Sequence, residues 1–213
     1  MEGRGMIKIP DGGFRAIYAD PAWPYRNFTD SAHGAVKSQY PTMTVDDICS
    51  IPVGEKFAHK DSVLLLWATG PHMDSAMRVI PAWGYEFVTM APWLKSTPST
   101  GSIYTGIGFW FQSTSEYLLV AKRGKAKKRR GQSTLGLLTD FLEEHAFCAP
   151  RRKHSEKPTE LHTWIEHNLD GPYLDLFARK QHGDKWTSWG FDLGFRLSAT
   201  GVEEFRPMET SNG

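Results

Sequence analysis

The sequence predicts a single α/β domain built on a mostly parallel sheet. Apolar runs of strand length alternate with stretches of helical periodicity. The longest run is apolar throughout rather than at every second residue, as in a strand covered on both faces. Polar residues suited to chemistry, Asp20 and Arg179, stand where such runs end. In parallel sheets ligands sit beyond the carboxyl ends of the strands.

The elements follow in order. Phe14–Ala19 (FRAIYA) reads as a buried strand. Thr44-Val45-Asp46-Asp47 has the Thr-x-x-acid spacing of a helix start and leads into Ile48 and Ile51. Ser62–Thr69 (SVLLLWAT) is the continuous apolar run, bounded by Gly70. His72–Trp83 predicts a helix with Met73, Ala76, Met77 and Ile80 on one side. Phe87–Leu94 is a strand, Ser96–Gly108 a Gly/Ser/Thr-rich loop, and Glu116–Ala121 a strand. A helix is expected to start at Lys157-Pro158, because proline suits the first helical position and Glu160 complements the dipole. Leu161, Trp164, Ile165 and Leu169 form its apolar face. Gly171-Pro172 ends it, and Tyr173–Ala178 is the next strand. We expect an N-terminal extension over 1–13, one domain over 14–196, and a polar, frayed tail over 197–213.

Composition bounds the class. With 213 residues, 40% apolar and 23% charged, the chain can bury one proper core. A net charge of +1 gives no global pull toward nucleic acid. Charge is local: Lys122–Arg130 holds seven cations and no acid. Cys49 and Cys148 lie far apart, and the eight histidines show no metal spacing, so neither disulfides nor a metal is expected. Met1–Pro10 has no signal-peptide core, and no segment is long and apolar enough to span a membrane. That predicts a cytoplasmic protein in a bacterium or phage-infected cell, or a nuclear one in a eukaryote.

Two constellations carry chemistry. The first is Asp20-Pro21-Ala22-Trp23-Pro24-Tyr25. The Asp20 carboxylate can accept one N–H of an exocyclic amine, the Ala22 carbonyl the other, and the Trp23 indole can stack on the ring. Pro21 and Pro24 hold the preceding residues, Asp20 and Trp23, extended. That stiffness suits a site that fixes geometry in advance. An ordinary Asp-Pro turn is the alternative for the tetrapeptide alone. The second constellation runs from Arg151 to Asp192. Lys157, beside a helix start, suits a carboxylate such as that of S-adenosylmethionine. Around Arg179, Gln181 and His182 polar groups can hold a ribose, and Phe177 can lie against an adenine.

These residues, with Tyr40-Pro41-Thr42-Met43, Leu66-Trp67, Trp83-Gly84-Tyr85, Trp93-Leu94-Lys95, Gly106–Trp110, Glu116, Arg123-Gly124, His154–Glu160, Leu176–Arg179 and Trp186…Trp189-Gly190, resemble in order the DPPW-type adenine methyltransferases. That family includes the catalytic subunit of the eukaryotic mRNA adenosine methyltransferase and many bacterial and phage DNA adenine methyltransferases. The chain is most similar to the compact bacterial and phage members. The resemblance covers about residues 14–193. It implies a Rossmann-like fold in permuted order, with the catalytic motif before the cofactor motifs. It implies that Asp20, Pro21, Ala22 and Trp23 hold the target adenine. For S-adenosylmethionine it implies Asp20, His154, Ser155, Lys157, Phe177, Arg179, Gln181, His182 and Gly190. Tyr25, Tyr40, Trp93, Lys95, Tyr104, Gly106, Gly108, Trp110 and Glu116 are candidates for substrate contact. Loops 25–40 and 149–157 are expected to gate the site. The chain departs from the family at Ala22, where a second proline is usual, and at Phe191-Asp192, where relatives carry Asn-Gln or Asn. The lost proline costs below ~1 kcal/mol of preorganisation.

The basic run admits three readings: a solvated loop, a nuclear localisation signal, or a phosphate-contacting loop. Because it directly follows a strand expected on the substrate side, Lys127, Lys128, Arg129 and Arg130 are read as phosphate contacts. The whole predicts an S-adenosylmethionine-dependent enzyme making N6-methyladenine in DNA. The same chemistry on RNA, and a non-catalytic nucleic-acid-binding subunit, are the alternatives.

Overall fold

The computed structural model describes residues 8–24, 42–106, 110–129, 147–151 and 156–205. Seven strands form one sheet in the order β5-β3-β4-β2-β1-β6-β7. They are β1 (Phe14–Ala19), β2 (Ala58–Ala68), β3 (Glu86–Ser96), β4 (Ser115–Arg123), β5 (Phe147–Pro150), β6 (Tyr173–Leu176) and β7 (Trp186–Trp189). Pairs β1/β2, β1/β6, β3/β5 and β6/β7 are parallel, whereas β4 runs antiparallel to both its neighbours, β2 and β3. Six strands therefore point one way and β4 alone is reversed. This is the mostly parallel α/β sheet that the sequence predicts.

The registers show why the central strands read as continuous apolar runs. Ile17, Ala19, Leu64 and Leu66 pack into a core with Ile48, Val79, Ile80 and Trp83, from helices α1 (Val45–Ser50) and α2 (Met73–Ala82) and the turn after α2. Tyr18, Leu65 and Trp67 point to the other face, against Leu161 and Ile165 of helix α3 (Glu160–Asn168). Each such side chain, fully buried, stabilises the fold by ~1.5–3 kcal/mol. The Thr44/Asp47 capping box starts α1 as its spacing predicts.

Local expectations are corrected at four places. Helix α3 begins at Glu160 rather than at Lys157, so Lys157 lies ahead of the helix. The buried face of α2 is Ser75, Ala76, Val79 and Ile80, and Met77 is exposed, because α2 turns toward α1. Strand β6 stops at Leu176 because Phe177 takes a left-handed conformation, φ 65°. Residues 201–204, within the segment expected to fray, form strand β9 (Gly201–Glu204), paired with β8 (Phe195–Ser198), and Leu197 reaches the core. Among the described residues no helix is long and apolar enough to cross a membrane.

The topology gathers chemistry at one edge. The carboxyl ends of β1, β2, β3, β6 and β7 lie there, carrying Asp20, Thr69, Ser96, Phe177 and Gly190. Since β4 is reversed, its amino end, with Glu116, joins the same edge.

Candidate active site

Asp20 follows β1 directly, and its carboxylate is held by an element far away in sequence. Lys157 Nζ donates to Asp20 Oδ2 at 2.6 Å and lies 3.2 Å from Glu116 Oε2. Lys95 Nζ in turn donates to Glu116 Oε1 at 2.6 Å. Asp20, Lys157, Glu116 and Lys95 thus form one alternating chain of charge along the carboxyl edge. Burial works against the Lys157 ammonium, but two carboxylates outweigh it and raise its pKa. Burial likewise pushes the Glu116 carboxyl up, and Lys157 and Lys95 pull it further down, to a net position below the usual range. The Lys157 ammonium also sits over the Trp67 ring, 5.5 Å from its centroid.

The segment after Asp20 is fixed by its own contacts. Trp23 main-chain N–H donates to Pro21 O at 2.8 Å, and its indole N–H donates to Trp67 O at 3.1 Å. His72 stacks on one face of Trp23, with centroids 5.9 Å apart and planes 13° apart. His72 is itself held by Thr69 Oγ1 and Pro24 O. A flat ligand could therefore use only the other face of Trp23. The Ala22 carbonyl already accepts the Met43 N–H at 3.2 Å, which leaves it one lone pair.

Beside this pair opens a cleft of about 210 Å³, lined among others by Tyr18, Asp20, Lys157, Asp175, Phe177 and His182. Of the predicted residues it brings together Asp20, Lys157, Phe177, Arg179 and His182. Phe177 holds its φ of 65° at the cleft wall, a strained conformation of the kind stored at ligand sites. Gly190 lies beneath: a Cβ there would fall 2.0 Å from Ala178 O, so only glycine lets β7 pass this close. Gln181 donates its amide N–H to Trp186 O at 2.7 Å, shaping the loop rather than lining the cleft.

The sequence did not single out Asp175 or His162. Asp175 Oδ2 lies 3.2 Å from His162 Nε2 and 3.3 Å from His182 Nε2. Burial raises the Asp175 carboxyl to about 8 despite His182, and burial lowers His162 to about 4. Three potential metal ligands thus lie within 4.8 Å. The two imidazoles, however, are stacked 3.6 Å apart with planes 14° apart. Both Nε2 atoms lie against the same Asp175 oxygen. The arrangement suits hydrogen bonds to a shared carboxyl group. The one signal in the sequence was an acid inside an apolar strand, YLDL.

Other predicted residues fall elsewhere. Trp93 is a core residue, 2% exposed, donating to Ala149 O and packed edge-on against Trp67, so it does not offer a base-stacking face. Lys95 and Glu116 are engaged with each other at the site edge. Tyr104 carries the Arg151 guanidinium over its ring at 4.4 Å. Gly106 donates its N–H to Ser113 O, and Trp110 is 94% exposed. Tyr25, Tyr40, Gly108, Arg130, His154 and Ser155, with all of the expected gating loop 25–40 and residues 152–155 of the other, lie outside the described residues.

The basic run lies on the other side of the molecule. It follows the carboxyl end of β4, and β4 is the reversed strand. Lys125 N–H donates to Asp61 Oδ1 near the start of β2, and Arg129 binds Asp170 and the Glu166 and His167 carbonyls that end α3. Lys127 borders a shallow cleft there with Arg15 and Asp61, and Lys128 sits over Trp164. From Asp61 to Trp67 along β2 is about 20 Å at the strand rise of ~3.3 Å per residue. Lys127, Lys128 and Arg129 are thus not on the Asp20 side, as the sequence reading assumed.

The profile of the MT-A70 family matches residues 14–192. A Mycoplasma protein described as Type II methyltransferase M.MunI is 30% identical, over 87% of this chain and 80% of its own length. The Drosophila melanogaster N(6)-adenosine-methyltransferase MT-A70-like protein and the human N(6)-adenosine-methyltransferase catalytic subunit METTL3 are each 28% identical, over 87% and 85% of this chain. The chain spans only 28% of the length of either of these two. The matched span runs from the first residue of β1 past the Gly190 crossing, and on it the chain belongs to the MT-A70 family of methyltransferases.

Proposed function

We propose that the chain uses S-adenosylmethionine to methylate the exocyclic amine of adenine in DNA. The carrying observation is that Asp20 is shared by two half-sites. On one side stand Ala22 and Trp23, with a carbonyl lone pair and one aromatic face available to a flat amine-bearing ring. On the other, the cleft is lined by the Lys157 cation and by the Asp175–His182 pair. That donor set fits a molecule with a carboxylate at one end and a ribose diol at the other. Lys157 would hold the carboxylate, Asp175 and His182 the ribose hydroxyls, and Phe177 the adenine face. When bound, S-adenosylmethionine supplies an electrophilic methyl group on its sulfonium.

The residues of the chain do the rest. Asp20 accepts one N–H of the amine and the Ala22 carbonyl accepts the other, which aims the nitrogen lone pair out of the hydrogen-bonded plane. No proton need leave before attack. As the amine nitrogen gains positive charge, the Asp20 carboxylate stabilises it, and the enclosed edge makes that interaction stronger than in water. Burial raises the Asp20 carboxyl above its ordinary range; Lys157 opposes that shift and orients the carboxylate. A substrate adenine in a duplex must first be extruded from the stack.

DNA is favoured because the chain covers 80% of the Mycoplasma protein's length, and that protein is described as a Type II methyltransferase. RNA is the second reading, favoured by the adenosine methyltransferases among the relatives. On the first reading the protein works in a bacterial or phage-host cytoplasm. The test is incubation with methyl-labelled S-adenosylmethionine and separate DNA and RNA pools, followed by nucleoside analysis. Label in N6-methyladenine from DNA supports the proposal. Label only in RNA, or in another base, overturns it.

A further inference from the structure

We propose that Trp110 and Phe111 form a wedge that enters the base stack of duplex DNA and fills the gap left by the extruded adenine. The inference rests on the reading of the chain as a DNA adenine methyltransferase. The two rings are neighbours in sequence and are 94% and 89% exposed. Burying either in the protein's own core would stabilise the fold. The fold forgoes that twice in succession.

Their position points to the substrate. The β3/β4 ladder pairs Leu94 with Ser115, and hydrogen bonds continue beyond it from Lys95 N–H to Thr114 O and from Gly106 N–H to Ser113 O. The second bond pairs Gly106 with Ser113, at the base of the excursion that carries Trp110 and Phe111. Gly106 is needed there, since a Cβ would lie 2.8 Å from Ser113 O. The excursion therefore rises from Lys95 and Glu116, both members of the charge chain that ends on Asp20. Trp110 and Phe111 follow from this base within three residues of Ser113, on the edge of the sheet that carries Lys95 and Glu116.

The flanking chemistry suits a nucleic acid. Arg151 is exposed, its guanidinium lies over the Tyr104 ring, and its main-chain N–H donates to Ser96 O at the foot of the same excursion. It gives a cation for a phosphate next to two apolar rings. Inserted rings recover stacking lost when a base leaves the duplex, a cost of a few kcal/mol. Stacking on one aromatic side chain returns ~1–3 kcal/mol per base.

Because both rings are exposed, their removal leaves the core intact. The experiment compares wild type, Trp110→Ala, Phe111→Ala and the double variant, on duplex DNA and on the same DNA heat-denatured. Wild type is expected to methylate both. The double variant is expected to lose about tenfold or more on the duplex, the worth of one stacked base, and to stay within about twofold on denatured DNA. Equal loss on both forms, no loss on either, or wild-type activity on denatured DNA alone overturns the wedge. So does a change in association state on sedimentation, which would make the tip a contact between protein copies. Absence of transfer by wild type to either form would instead sink the underlying reading of function.

Discussion

Lys157 Nζ and Asp20 Oδ2, separated by 137 residues of sequence, meet at 2.6 Å. The contact ties the segment ahead of α3 to the end of β1, and so joins the two halves of the proposed site. Lys157→Ala would leave Asp20 and Glu116 facing each other without the cation between them. We expect a loss on the order of 3 kcal/mol in folding stability. S-adenosylmethionine binding should weaken more than nucleic-acid binding. Urea unfolding and calorimetric titration check the two parts separately; an unchanged dissociation constant would remove Lys157 from the cofactor site.

The buried carboxyl of Asp175 should make stability depend on pH. Its pKa is raised to about 8 in the folded chain, against an ordinary carboxylate value when unfolded. A raised group contributes stability that is present at low pH and lost as pH rises toward the folded value. His162 has the opposite sign: lowered to about 4, its contribution is lost as pH falls below the ordinary imidazole range. Between about pH 4 and 6.5 the two oppose each other, with lowered His182 on the side of His162, and above ~6.5 the Asp175 loss remains. We expect wild type to lose about 1–2 kcal/mol between pH 6.5 and 8. Asp175→Asn should abolish that slope. Urea midpoints at the two pH values decide; an equal slope in both proteins would assign the pH dependence elsewhere.

The placement of the basic run makes a prediction about salt. Lys127 and Lys128 lie on the far edge of the sheet, and Arg129 caps the carboxyl end of α3. Lys127→Ser with Lys128→Ser should leave the salt dependence of DNA affinity unchanged. Arg129→Ala should lower the thermal midpoint modestly without altering that slope. A slope flatter by about one unit per removed lysine would show that DNA reaches this edge as well.

Gly190 has no room for a side chain. Gly190→Ala would set a methyl against the Ala178 backbone, beneath Phe177 and Ala178 of the cleft wall. Overpacking of this kind costs ~1–3 kcal/mol. We also expect weaker S-adenosylmethionine binding, because the wall must shift. Unaltered unfolding and binding would mean that the β7 crossing relaxes freely.

Much of this was legible in the sequence because local signals and the fold agree. Phe14–Ala19 and the run of apolar residues before Gly70 are strands buried on both faces, and their pattern says so. Asp20 stands out because it ends such a strand before a proline. What was not legible depends on pairing. No local signal says that β4 is reversed; its direction is set by β2 and β3 on either side. The basic run was therefore assigned to the wrong edge, and Glu116 reached the right one by the same reversal. Trp93 and Trp110 carry the same side chain, yet one is core and the other open to solvent. Their difference lies in which strand packs over them. His162 gave no sign, since a histidine on a helix meets its partners only once β6 and the loop after it have folded.

The central claim is that Asp20 aims the amine for methyl transfer. Single-turnover transfer of labelled methyl from S-adenosylmethionine to DNA, in wild type and Asp20→Asn, tests it most directly. Asparagine keeps the size, loses the charge, and presents a donor where an acceptor is needed. Label at adenine N6 is expected with wild type, and a rate at least ~100-fold lower with Asp20→Asn, the loss typical of one preorganised electrostatic contact. Near-native turnover by Asp20→Asn would contradict it.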